Sequence, residues 1–191
     1  MGESPMKSTN VIVFGVLVSV GMGSPFAAGQ PESPQKQEAR LPLQSEFLMQ
    51  LTAELEPAQV VGETPQGDRR IVPVVGGSFS GPQLKGQVLT GGGDWTLFRK
   101  DGTAQLDVRA TLRTDDGVLI YVSYRGVSTI PPDVRQRIMG GQDVDPAQYY
   151  FRTTPYFETA SEKYSWLNKL VTVGIGKRTK TSVIYSIYAI K

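Results

Sequence analysis

The chain has 191 residues, 39% hydrophobic and 20% charged, enough for one well-buried core and short for two. Lys plus Arg number 20 against 18 Asp plus Glu, a formal charge of +2 with no long block of one sign, which argues against a nucleic-acid partner. The absence of Cys excludes disulfides, thiolate zinc sites and a Cys nucleophile, and the absence of His removes the usual general base and the commonest metal ligand. Any chemistry must use carboxylates, Tyr, Lys, Ser/Thr or Arg. The 21 Gly and 13 Pro point to short strands joined by many turns.

Residues 1–29 read as a signal peptide. Lys7 precedes an apolar run from Val11 to Val20, and small residues follow, ending Ala27, Ala28, Gly29. The run is shorter than the ~20 apolar residues a spanning helix needs, so no stable membrane insertion is expected after cleavage before Gln30. Either Met1 or Met6 serves as a start, and an uncleaved anchor is the alternative. Residues 30–41 are polar and Pro-containing, a flexible linker, and a single domain is expected over 42–191. An exported protein, periplasmic or secreted, is the corresponding expectation.

From Glu46 to Glu56, Phe47, Met49, Leu51, Ala53 and Leu55 alternate with mostly polar neighbours, the period of a half-buried strand. A turn is expected over Gly62 to Asp68. A second strand spans Arg69 to Phe79, with Pro73, Gly76 and Gly77 suggesting an edge or a bulge. Leu84 to Leu89 is a third strand, and a loop at Gly91 to Gly93 leads into Asp94 to Arg99. Asp101-Gly102 and Asp116-Gly117 are hairpin turn signals on either side of Ala104 to Arg113, the clearest alternation in the chain. Val118 to Arg125 follows. Pro131, Pro132 and Asp133 open a short helix that stops at Gly140. Tyr149 to Glu158 is extended, Tyr164 to Asn168 is a short link, and Lys169 to Lys177 with Ser182 to Ile190 forms a last hairpin. About nine strands in neighbour order predict an all-β, antiparallel up-and-down β-barrel with one or two short helices.

Several motifs occur together: Gly91 to Trp95 (GGGDW), Leu106 to Arg109 (LDVR), Leu112 to Gly117 (LRTDDG), Tyr149 to Pro155 (YYFRTTP), Phe157-Glu158 and Trp166 to Asn168 (WLN), with Arg69 to Val74 (RRIVPV) upstream. With these the chain resembles the domain-of-unknown-function family 3237, also called uncharacterised protein family 0311, from about Phe47 to Tyr188. The resemblance implies a calycin-like, lipocalin-type barrel. It implies little about activity.

A small barrel with a mouth suits one small ligand. Asp107 and Arg109 share the polar face of their strand and are expected either to line the cavity or to form an ion pair on a solvated outer wall. Asp94 and Trp95 follow three glycines; a carboxylate beside an indole in a cavity is a candidate general acid or base, while Trp95 serves equally as a core plug. Tyr150 and Arg152 share a face opposite Tyr149 and Phe151, and with Trp166 and Asn168 they are candidates for the wall of a flat organic or sugar site; Trp166 as a seal of the barrel end is the other reading. The candidate catalytic set is Asp94, Asp107, Arg109, Tyr121 and Glu158. Gly174 and Gly176 lack the helix that a dinucleotide site needs, and Asp143 with Asp145 falls short of a calcium loop, so no cofactor and no metal is expected. Three functions remain: an exported protein binding a small aromatic, sugar or lactone-like molecule; a cofactor-independent isomerase, lyase or hydrolase with Arg109 or Tyr121 stabilising an oxyanion; and an envelope scaffold that pairs with itself as a homo-oligomer.

Overall fold

The computed structural model describes residues 40–191, so the signal peptide and all but the last two residues of the linker lie outside the described residues. Strict alternation on long segments produces the expected sheet, and the register follows chain order. Strand β1 (Ser45–Leu55) pairs antiparallel with β3 (Gly67–Ser80), and β2 (Gln59–Thr64) follows β1 along the same side of β3. The fragments β4 (Lys85–Val88), β5 (Gly92–Asp94) and β6 (Leu97–Phe98) each pair with β3 on one side and with β7 (Ala104–Thr114) on the other, so together they fill one strand position. Next come β8 (Leu119–Thr129), β9 (Tyr150–Glu158), β10 (Thr172–Arg178) and β11 (Ser182–Ile190), and β11 pairs with β1. The result is a closed antiparallel barrel of eight strand positions, with a free strand edge left only at β2 among the described residues.

Two local expectations change for physical reasons, and a third holds. The turn expected over Gly62 to Asp68 shrinks to the residues between β2 and β3, where the Thr64 hydroxyl bonds the Gly67 carbonyl at 2.8 Å. The triglycine is mostly paired strand: Gly92 and Gly93 face Val74 and Pro73, and a Cβ added at Gly92 would lie 2.7 Å from the Arg109 carbonyl oxygen. Glycine is needed there because the backbones approach too closely for a side chain. The bulge expected near Pro73, Gly76 and Gly77 is present: Glu54 faces Gly76 and Leu55 faces Val74, so Val75 is the extra residue of β3. Pro73 lies beside it, where its carbonyl accepts the Glu56 N–H at 3.1 Å and no ladder donor is demanded of it. The two Asp-Gly turns form as expected, with Gly102 and Gly117 at φ 81° and 86°.

The inward side chains divide the barrel into two halves. At one end Met49, Leu112, Ile120, Phe157, Leu167 and Ile187 are almost wholly buried and fill the interior. The β7–β8 turn closes this end, where Asp116 accepts hydrogen bonds from Lys163 at 2.6 Å and Tyr164 at 3.2 Å. Trp166, half-buried, packs against the core here. At the other end smaller or recessed residues face inward, among them Ala53, Ala104, Val108 and Val183, and the interior is hollow. Helix α1 (Pro132–Met139) lies at this end, with Val134 and Ile138 buried and Ile138 facing the hollow. The inward positions of β10 are Thr172, Gly174, Gly176 and Arg178; a Cβ at Gly176 would come within 2.6 Å of the Phe151 ring.

That contact makes Gly176 a test of the packing. Gly176→Ala is expected to lower the unfolding free energy by about 1–3 kcal/mol, the usual range for overpacking a filled site, as measured by urea titration.

Candidate functional site

The hollow half encloses about 630 Å³, within the range of small-molecule sites. Its wall exposes mostly apolar surface, interrupted inside by Asp94, Thr96, Tyr124, Ser128, Arg178 and Tyr185. Asp94 stands at the end of β5, opposite Val72 of β3 and Val108 of β7, both lining the cavity, so the register turns its carboxyl inward. Oδ1 accepts the Asp107 backbone N–H at 3.1 Å. Burial pushes the Asp94 pKa up to about 6 from 3.8, although the Thr96 hydroxyl and the Asp107 N–H both favour its charged form. Asp94 is therefore an acid that exchanges its proton near neutrality.

Tyr124 and Tyr185 face the same cavity from β8 and β11, with ring centroids 5.3 Å apart in an edge-to-face contact. Phe151 completes the aromatic wall at 5.6 Å from Tyr185. Burial pushes both tyrosine hydroxyls well above their ordinary pKa, and the Asp94 charge adds to the effect. Both remain protonated at neutral pH and serve as hydrogen-bond donors. Arg178, half-buried at the end of β10, also lines the cavity; desolvation disfavours its charge, and the Asp94 carboxylate favours it. Its backbone N–H donates to the Tyr149 hydroxyl at 2.9 Å, which fixes the end of β10. The mouth is rimmed by Glu56 and Pro57 between β1 and β2, Arg70, Phe98, Arg135 of α1 and Lys180 of the β10–β11 turn.

Of the residues singled out from the sequence, Asp94 alone lines this cavity. The polar face of β7 points out of the barrel: Asp107 and Arg109 form an ion pair of 3.0 Å with side chains 39% and 49% exposed, and the Arg109 guanidinium lies 5.7 Å from the Trp95 ring. Of the two expectations for this face the outer-wall ion pair holds and the cavity-lining role is corrected, because the apolar face, Leu106 and Val108, gains more by turning inward. Trp95 is neither a lumen wall nor a core plug: it lies just past the end of β5, exposed on the outer wall beside Arg109. Tyr150 and Arg152 are also on the outer wall, the guanidinium 5.2 Å from the Tyr150 ring, and share an open groove with Trp95 and Asp107. Tyr121 and Glu158 are cross-strand partners on the outside near the filled end, remote in register from the cavity. Asn168 is a structural clamp: its Oδ1 accepts the Thr159 N–H and its Nδ2 donates to the Thr159 carbonyl, both at 2.9 Å. The sequence reading missed Tyr124, Tyr185 and Arg178. Each lay on the inward face of its strand by simple alternation, and a hydroxyl or charge on an otherwise apolar face was the available signal.

Known proteins place the fold. A 32% identical protein of Rhodopseudomonas palustris matches over 148 residues, 78% of this chain and 97% of its own length. Its crystal structure, described as that of a conserved protein of unknown function, superposes with a TM-score of 0.75 over 80% of this chain and all of that one. A β-barrel-like protein of Acinetobacter baumannii is 42% identical, with a TM-score of 0.70 over 81% of this chain and all of its own. More distantly, a protein of Penicillium herquei named as a hydroalkoxylation enzyme is 26% identical over 161 residues, 84% of this chain and 87% of its own. The family profile described as protein of unknown function DUF3237 matches residues 43–190, and the chain belongs to that family.

Proposed function

We propose that the barrel is an acid–base enzyme that moves a proton on a small molecule with an apolar body in its hollow half, with Asp94 as the proton donor and acceptor. The observation that carries this reading is a carboxyl raised to about 6 inside a largely apolar cavity that also holds two protonated tyrosines. A purely passive binding site has no need of a half-desolvated acid, whose burial is unfavourable. The Penicillium relative supports the reaction type, since hydroalkoxylation adds an O–H across a C=C bond. In that direction protonated Asp94 gives its proton to one alkene carbon. The substrate hydroxyl oxygen bonds to the other carbon, and the proton it releases returns to the carboxylate. Atoms and charge balance with no further reactant, and the reverse is an elimination. Tyr124 and Tyr185 donate hydrogen bonds to substrate oxygens, and the apolar wall keeps competing water from the cation-like carbon. We also propose export, periplasmic or secreted, supported by the order of basic, apolar and small residues before Gln30.

Incubation with a panel of alkenols and alkenyl phenols in D2O tests the chemistry: the expected product is an isomeric cyclic ether with one deuterium on carbon. Asp94→Asn is expected to reduce the rate at least 100-fold, the usual scale for losing a general acid. Wild-type rates in that variant would remove Asp94 from the mechanism.

The same substitution has a stability counterpart. The folded pKa lies above the unfolded value of 3.8, so stability gained through protonation is complete below about 3.8 and lost as pH rises through about 6. Asp94→Asn cannot ionise, and denaturant titration is expected to show it about 1–2 kcal/mol more stable than wild type at pH 8, with little difference at pH 3.5.

Expression in a bacterial host that secretes proteins, followed by amino-terminal sequencing, is expected to give a mature chain beginning at Gln30. An intact leader on a membrane-bound product would contradict export as a cleaved protein.

A further inference from the structure

The cations of the cavity are unequally satisfied. Arg70 at the mouth is neutralised by Asp68, at 2.6 Å and 2.9 Å to one carboxylate oxygen. Among the described residues, Arg135, Arg178 and Lys180 have no carboxylate within 4.0 Å, and no hydrogen bond holds the Arg178 guanidinium. Arg178 is the telling case, because it is half-buried on the inward face of β10. A guanidinium withdrawn from water is unfavourable unless an anion or several acceptors replace its hydration. Asp94 shares the cavity yet forms no ion pair with it, so the acid stays free to carry a proton and the arginine stays free for a ligand.

Resting on the acid–base reading above, we propose that the substrate is a carboxylate: a molecule with a flat apolar body and one carboxylate, held by the Arg178 guanidinium while its reacting end faces Asp94. The guanidinium offers parallel N–H donors matched to a carboxylate, which a lysine does not. The apolar body lies against Val72, Val108 and Phe151, and the two tyrosine hydroxyls are left for neutral oxygens. At the mouth Arg135 and Lys180 add positive potential on the entry path; the Arg135 guanidinium lies 5.5 Å from the Phe98 ring, which the paired Arg70 also approaches, at 4.9 Å. The anion also supplies the charge that keeps Asp94 protonated once the substrate is bound.

Isosteric probes separate charge from shape. In calorimetric titration of the purified protein at pH 7.5, naphthalene-2-carboxylate is expected to bind at least tenfold more tightly than naphthalene-2-carboxamide. Arg178→Met should bring the carboxylate down to the carboxamide's affinity and leave the carboxamide unchanged, which also reports an intact barrel. Arg178→Lys should recover part of the preference. Arg135→Met should weaken the carboxylate about threefold and slow its association. Equal affinities of the two probes in wild type, or an equal loss of both in Arg178→Met, would overturn the carboxylate assignment while leaving the cavity as a ligand site. Val108→Trp, which narrows the cavity, should abolish binding of both probes; undiminished binding in that variant would place them elsewhere and remove the cavity as their site.

Discussion

Closure of the sheet between β1 and β11 governs everything else in this molecule. Once eight strand positions form a ring, every second side chain on each strand is committed to one small interior, and no residue can leave it without unpairing backbone. The interior therefore takes whatever volume the inward residues have. Where these are Met49, Leu112, Ile120 and Phe157 the ring is filled, and where they are Ala53, Ala104, Val108 and Val183 it is not. The cavity is a consequence of side-chain size along the strands, and α1 and the turn at Lys180 merely border it.

The same commitment fixes the chemistry. A polar side chain on an inward position is desolvated whether or not it has a partner, and the hollow half holds Asp94, Tyr124, Tyr185 and Arg178 in that condition. In a filled barrel these groups would be defects. In a hollow one they fit the acid–base site proposed above, where a ligand would meet them directly. The broken strand formed by β4, β5 and β6 matters here: the β5 register opposite Val72 and Val108 sets the Asp94 carboxyl inward, while its neighbour Trp95 faces out toward Arg109.

Much of the architecture was legible because alternation is a local signal that closure only reinforces. The segment Ala104 to Thr114 and the final Ser182 to Ile190 hairpin strand needed nothing beyond their own residues. Strand β2 was hidden, since Gln59 to Thr64 is exposed and mixed, and its existence depends on pairing with β3. The site was less legible. Asp94 drew attention through the glycines before it. Asp107, Arg109 and Tyr121 drew it through the expectation that polar groups do chemistry, whereas a barrel turns its apolar faces inward. Tyr124 shares a strand with Tyr121 but lies on the face of Ile120 and Val122, and that placement marks it as a cavity residue. Arg178 sits at a strand end after two inward glycines, so its burial depends on neighbouring strands of the wall, which no local pattern reveals.

The proposed chemistry depends on Asp94 being an acid held in a partly dry interior. Carbon-13 NMR titration of its side-chain carboxyl, assigned by comparison with Asp94→Asn, measures this directly. The expected midpoint is near 6. A midpoint at the ordinary 3.8 would mean that water reaches the carboxylate freely, and the acid–base reading of the cavity would fail.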